Sequence, residues 1–254
     1  MESKPKITSL LITYNEENNI KSLIESLDFV DEFIIIDSFS TDNTVAIINE
    51  YPNIKLIQRE FDDFSSQKNF AIEQATNNWI VFFDADDRIS DALKEEILAT
   101  VHSATDKVAY WIKRTNIYMN RRIKYSGWQK DKVIRLFKKD QCRYNGKLVH
   151  EEIVADGEVG YLNNTLTHCS YKGLDKIILK RNKYAALQAM ELYEKGVKPN
   201  LYHFLVKPAF RFFNHYILKR GFLDGYQGLF ISFIYGYSVF IRYVKLWLLH
   251  HKLD

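Results

Sequence analysis

Apolar positions in the first hundred residues fall into two rhythms that take turns along the chain. Short, nearly unbroken apolar runs cover 7–14, 32–37, 54–59 and 79–84, while between them apolar residues recur with helical spacing over 18–27, 44–51 and 65–75. Continuous runs predict strands buried on both faces, and the spacing between them predicts amphipathic helices, so this part reads as βα units of a parallel sheet. Polar residues stand at the carboxyl ends of these strands: Thr13, Asn15 and Glu16 after the first, Asp37 after the second, Arg59 after the third, and Asp84-Ala85-Asp86 after the fourth. In an open α/β sheet that edge is where ligands bind.

The rhythm then changes. Shorter and less regular β segments are expected at 108–115, 132–137 and around 157–161. Leu174, Ile178, Ala185, Ala189 and Leu192 share one face of a predicted helix that ends near Glu194. Gly196-Val197-Lys198-Pro199 is the best linker, giving an expected catalytic domain over 1–197, with halves 1–105 and 106–197, and a helical tail over 198–254. The tail is dense in Phe, Tyr and Trp, and its longest uncharged stretch, 225–241, is 17 residues long. A spanning helix needs about 20 apolar residues, so the expectation is helices lying in or against the inner leaflet, with Tyr and Trp at the interface. The competing expectation is a helical pair packed on the protein's own core or on a second copy of the chain.

Composition narrows the class. With 254 residues, 46% of them hydrophobic and 15% aromatic, the chain can bury a full core, which argues against disorder. Cys142 and Cys169 form neither a metal-type cluster nor a disulfide framework, so a reducing compartment is expected. Residues 1–9 lack a long apolar core behind their positive charges, and the start reads as a strand rather than a signal peptide. The net charge of +3 hides a division, because 198–254 carry a local +6 and the remainder sums to −3. A basic, aromatic-rich segment on a mildly acidic body fits an anionic membrane surface better than nucleic acid.

Asp84-Ala85-Asp86 carries the sharpest chemical suggestion. Two carboxylates one residue apart, directly behind Trp79-Ile80-Val81-Phe82-Phe83, suit a hard divalent cation, Mg²⁺ or Mn²⁺, that keeps open positions for the oxygens of a diphosphate. Ala85 is small enough to let a ligand come close. The rival reading is local: Ser90 and Asp91 fit a cap on a helix over 93–101, and Asp86 and Asp87 would then only belong to its approach.

Four segments, Thr13-Tyr14-Asn15-Glu16-Glu17, Ile36-Asp37-Ser38-Phe39-Ser40-Thr41-Asp42, Gln67-Lys68-Asn69 and Asp84-Ala85-Asp86, in this order and spacing, resemble family 2 glycosyltransferases with the GT-A fold. Ser126-Gly127-Trp128, Arg135-Leu136-Phe137, Val149-His150-Glu151, Lys207-Pro208 and Gly221-Phe222-Leu223-Asp224-Gly225 extend the resemblance to the subgroup of the lipopolysaccharide core β-1,4-glucosyltransferase. The resemblance implies an α/β fold, with a mixed, mainly parallel sheet flanked by helices and the aromatic, basic tail appended. It also implies an inverting, metal-dependent transfer of a hexose from a nucleotide sugar, a UDP-sugar by preference, to a glycan or glycolipid at the cytoplasmic face of the inner membrane.

On that resemblance Thr13, Asn15, Glu16 and Asp37 bind the donor, and Arg59 and Lys68 offset diphosphate charge. Asp86 is the main ligand of Mn²⁺ or Mg²⁺, with Asp84 beside it on the donor side. Glu151 is the expected base and Asp131 its alternative. On the acceptor side Trp128 would stack on a sugar and His150 would ligate the metal or orient the acid. The chain departs from the subgroup at Asp87, where Glu is usual, and at Asp37-Ser38, where many members place two acids. Two other readings compete: a membrane-bound, non-catalytic partner protein with a degenerate transferase domain, and a nucleotidyltransferase, which Thr13-Tyr14-Asn15-Glu16 disfavours by lacking a glycine loop for a triphosphate.

Overall fold

The computed structural model describes residues 4–146, 151–171 and 173–253. The chain divides into two compact units, one made of 1–115 with 131–169 and the other of 116–130 with 170–254.

The first unit opens with β1 (Ile7–Thr13), α1 (Ile20–Ser26), β2 (Glu32–Asp37), α2 (Thr44–Ile48), β3 (Ile54–Gln58), α3 (Phe64–Gln74) and β4 (Trp79–Phe82). The four strands are parallel in the order β3-β2-β1-β4. After them come β5 (Asp87–Arg88), α4 (Asp91–His102), β6 (Ala109–Tyr118), β7 (Arg121–Ile123), β8 (Lys132–Lys138), β9 (Cys142–Tyr144), β10 (Ile153–Ala155) and β11 (Val159–Cys169). The sheet continues from β4 through β8, β6 and β11 to β5, antiparallel at β4–β8, β8–β6 and β11–β5. A separate antiparallel ladder joins β9 to β10.

Both faces of β1, β2 and β4 are buried, as their continuous apolar runs require, while β3 at the edge is only partly covered. Trp79, Val81 and Phe83 enter one layer with Leu23 of α1 and Leu93 and Ile97 of α4; Ile80 and Phe82 enter the other with Ala71 and Ile72 of α3. Two boundaries differ from the sequence expectation for physical reasons. The fourth strand stops at Phe82 because the chain turns at Asp84, whose carbonyl accepts from Asp87 N at 2.9 Å. The segment expected around 157–161 becomes an eleven-residue strand, β11. Asn163 and Asn164 look like a turn in sequence, yet their backbone amides are bound by the Glu96 carboxylate of α4 at 2.6 and 2.8 Å.

The second unit holds α5 (Leu174–Glu194), a helical run with π turns at Tyr202–Val206 and Asn214–Leu218 on either side of α6 (Lys207–Phe213), and α7 (Gly225–His251). Here α5 packs on α7 with Ala185 and Ala189 fully buried, so this helix groups with the C-terminal helices. The end of β6 pairs with β7 through Asn116 to Tyr118. Buried Asp224 fixes the loop that follows, accepting from Lys124 N at 2.9 Å, Tyr125 N at 3.0 Å and Ser126 Oγ at 2.8 Å. Gly228 is required where it stands, because a Cβ there would lie 1.8 Å from the Gly221 carbonyl oxygen. The helix outruns the uncharged stretch by continuing through Arg242 and Lys245. Gly221–His251 is long and apolar enough to cross a membrane by length and composition, with 44% of its most apolar window buried inside the protein.

Candidate active site

Register in the parallel ladder sets Thr13 beside Asp37 and Asp37 beside Gln58, all at the carboxyl edge. Thr13 Oγ1 is buried with no partner among the described residues. Asp37 is fully buried and holds the loop behind it, accepting from Ser40 N at 2.9 Å and Ser40 Oγ at 2.5 Å, with Gln58 Nε2 at 3.3 Å. Asn15, at φ 54°, donates its N–H to Ser40 Oγ at 2.9 Å and accepts from Thr41 N at 2.8 Å. Asp37 and Asn15 therefore bind the two loops to each other. Exposed rings follow three strand ends: Tyr14 after β1, Phe39 after β2 and Phe61 after β3.

A chain of hydrogen bonds runs from the first strand end to the D-x-D turn. Glu16 Oε2 accepts from Asn19 Nδ2 at 3.0 Å, Asn19 Oδ1 accepts from Arg88 Nη2 at 2.9 Å, and Arg88 Nη1 donates to the Ala85 carbonyl at 3.0 Å. Arg59 is engaged locally: its guanidinium takes Asp62 in a two-pronged pair at 3.1 and 2.9 Å and also donates to Ser66 Oγ and Gln67 Oε1.

The D-x-D turn closes on Asp87. Asp84 N donates to Asp87 Oδ2 at 2.9 Å, and Asp87 Oδ1 accepts from His168 Nδ1 at 2.9 Å. Pairing of β5 with β11 places His168 opposite Asp87, and Asp86 Oδ1 lies 3.5 Å from the same imidazole nitrogen. Ser90 caps α4 as the local reading expects, its Oγ accepting from Leu93 N at 3.3 Å, while Asp86 and Asp87 also reach His168. Buried Arg135 pairs with Asp84, stands 3.6 Å from Asp87, and keeps its Nε buried without a partner among the described residues.

Electrostatics follow from that packing. Burial works to raise the Asp84 carboxyl, but Arg135 first and then Lys68 and His168 hold it well below the usual carboxylate range. Burial works to lower His168, but the Asp87 hydrogen bond and the charges of Asp86 and Asp87 push it above its ordinary value.

Asp86, Asp87 and His168 each offer one ligand atom, all within 4.8 Å of one another. Two carboxylates and an imidazole suit a divalent cation. The cluster differs from the sequence expectation in three residues, with Asp84 bound to Arg135 outside it, Asp87 in its place and His168 entering from β11. The signal for His168 was weak, a histidine at the far end of a strand whose partner, two-residue β5, is invisible to periodicity.

Among the acceptor-side candidates, Glu151 is paired with Lys68 Nζ at 2.8 Å. The Lys68 ammonium is almost wholly buried and lies over the Tyr144 ring at 4.8 Å, and the Tyr144 carbonyl accepts from Asn69 Nδ2 at 3.1 Å. Asp131 has both oxygens bound by Arg114, at 2.9 Å each. Trp128 belongs to the second unit, edge-on to Tyr118 and donating to Tyr235 Oη at 3.4 Å. His150 lies outside the described residues.

Residues 9–152 match the family described as Glycosyl transferase family 2. The chain belongs to that family. A lipopolysaccharide core biosynthesis glycosyltransferase, LpsC, from Rhizobium meliloti strain 1021 is 30% identical to this glycosyltransferase over 96% of its length and 95% of the relative's. An uncharacterized glycosyltransferase from Rickettsia felis is also 30% identical, over 95% of this chain and 89% of its own. Among solved structures, the mannosyltransferase PcManGT from Pyrobaculum calidifontis, in complex with GDP-Man and Mn²⁺, aligns at a TM-score of 0.51 and 14% identity over 96% of this chain and 88% of its own. That likeness gives this family 2 glycosyltransferase the GT-A fold expected from its motifs.

Proposed function

We propose that this glycosyltransferase moves a hexose from a nucleoside diphosphate sugar, a UDP-sugar by preference, to a hydroxyl of a glycan or glycolipid acceptor, with inversion. The observation that carries the reading is the convergence of Asp86, Asp87 and His168 within 4.8 Å beside the parallel-strand edge. A cation bound by these three would supply Lewis-acid neutralisation of charge on the departing diphosphate. Thr13 Oγ1, without a partner among the described residues, and the exposed rings of Tyr14 and Phe39 suit a nucleoside, one by hydrogen bonding and the others by stacking.

On the acceptor side Glu151 takes the hydroxyl proton as that oxygen bonds to the anomeric carbon and the bond from carbon to the diphosphate oxygen breaks. Lys68 orients Glu151. Asp131 is the weaker choice because Arg114 occupies both of its oxygens. The lipopolysaccharide core named for the Rhizobium relative is the acceptor class this reading adopts. Placement at the cytoplasmic face of the inner membrane belongs to the same proposal, supported by exposed Leu205, Phe210 and Phe213 along one helical run and Tyr226, Phe230 and Phe233 on α7.

The test is a screen of UDP-, GDP- and dTDP-sugars with Mn²⁺, reading nucleoside diphosphate release. UDP-sugar turnover that disappears in Asp86→Ala is expected; unchanged turnover in that variant removes the proposal.

A further inference from the structure

Two motifs of the second unit, Ser126-Gly127-Trp128 and Gly221–Asp224 with Gly225, are built around one histidine. His215 is 4% exposed, donates from Nδ1 to the Ser126 carbonyl at 2.9 Å, and stacks on Tyr235 at 4.2 Å between ring centres, 8° from parallel. Its Nε2 is buried without a partner among the described residues. With Nδ1 donating, Nε2 of the neutral ring is an acceptor, and a buried acceptor without a partner calls for a donor.

Three cations lie around this stacked pair. Arg181 lies over the Tyr235 ring at 4.6 Å and Arg211 at 5.7 Å. Lys219 reaches the imidazole edge beside Gly127, where a Cβ would be 3.0 Å from Lys219 Nζ and 3.4 Å from His215 Cε1. Gly127, at φ +89°, thus leaves open the space that the lysine tip enters. Among the described residues neither guanidinium nor the ammonium has an ion-pair partner. Buried Asp224, the nearest acid on the neighbouring turn, is already bound to Lys124 N, Tyr125 N and Ser126 Oγ. Burial first, and then Lys219, Arg211 and Arg181, hold the imidazole below its ordinary range.

We propose that Arg181, Arg211, Lys219 and His215 form a binding site for a phosphate monoester carried by the acceptor. Three positive charges without ion-pair partners among the described residues favour a phosphate monoester, whose P–O–H in the monoanion can donate to His215 Nε2; a carboxylate offers no proton there and leaves two of the charges unbalanced. Guanidinium forks suit tetrahedral oxyanions, and the ammonium adds a point charge. Only the word acceptor rests on the transferase reading; the site itself stands on the second unit alone. The phosphate has two possible sources, a soluble phosphorylated sugar or a lipid headgroup.

Titration calorimetry on the full chain, without donor or metal, separates these cases. Inorganic phosphate and a soluble hexose phosphate form one arm, and phosphatidylcholine vesicles with and without phosphatidic acid form the other. Saturable binding in either arm, weakened about 100-fold in the R181Q/R211Q double variant, is expected from the loss of two charge-assisted contacts. Binding in the first arm alone assigns a soluble sugar phosphate, and binding that needs phosphatidic acid assigns a lipid headgroup. K219Q, with an unchanged melting temperature, serves the same purpose if the double variant does not fold. K195Q/K198Q removes the same charge from positions at and beyond the C-terminal end of α5 and should bind as the wild type does. The proposal is overturned by the absence of saturable binding, by unchanged binding in R181Q/R211Q, by acetate binding as tightly as phosphate, or by an equal loss in K195Q/K198Q. Donor hydrolysis that still depends on Asp86 in the same preparation keeps a failure here apart from a failure of the transferase reading.

Discussion

Asp84 and Asp86 stand two residues apart and have different duties, which their alanine variants separate. Asp84→Ala deprives Arg135, itself 4% exposed, of its nearest carboxylate. Breaking one side of a fully buried pair costs about 3–5 kcal/mol; with the Asp84 side chain 32% exposed and the Asp87 contact surviving, the expected loss lies below that range. The denaturation midpoint should therefore fall in Asp84→Ala and stay near wild type in Asp86→Ala, which loses only metal-stimulated turnover. A midpoint unchanged in Asp84→Ala would mean that Arg135 is held by Asp87 alone. At this scale the sequence shows the acids and hides their partners. Asp86 stands out because strand and motif coincide, and Glu151 is singled out only by the family resemblance. Arg135 and His168 do not stand out, since each meets the D-x-D turn across strands distant in sequence, 51 residues away for Arg135 and Asp84.

Among elements, the contact between α4 and β11 shows how a polar pair can lengthen a strand. Glu96 accepts from both backbone and side-chain amides of Asn163 and Asn164. Burial works to raise the Glu96 carboxyl, but these hydrogen bonds outweigh it and hold the group below its model-compound value of 4.5. A depressed carboxyl stabilises above its unfolded pKa, and that contribution is lost as pH falls through the folded value. Glu96→Gln should cost about 1–3 kcal/mol near neutral pH. The gap in melting temperature between variant and wild type should close as pH falls below about 4; a gap constant with pH would remove the ionic explanation. The parallel strands and α5 were readable because their periodicity is set by burial. The length of β11 was not, because Asn163 and Asn164 have turn chemistry and only Glu96, on another element, makes them strand residues.

Across the whole molecule, the exposed rings of α7 and the preceding helical run set a second expectation. Phe233 is 66% exposed and Phe230 45% exposed, one helical turn apart. If this face meets an anionic leaflet, F230D/F233D should partition onto phosphatidylglycerol vesicles at least about tenfold more weakly, since each large apolar side chain contributes roughly 1.5–3 kcal/mol when buried. Higher salt should weaken the wild type as well, by screening the basic residues. Equal sedimentation of variant and wild type would leave the face to a protein partner.

The interleaving of the two units also has a temporal meaning. Everything in the first unit has been synthesised once Cys169 is made, but the second needs both 116–130 and the helices after 170. The amide of Lys124 emerges 100 residues before the Asp224 carboxylate that binds it. At translation rates of about 5–20 residues per second, that loop stays hydrated for roughly 5–20 s before its clamp exists. The first unit can thus mature on the ribosome while the second closes only after α7 is released.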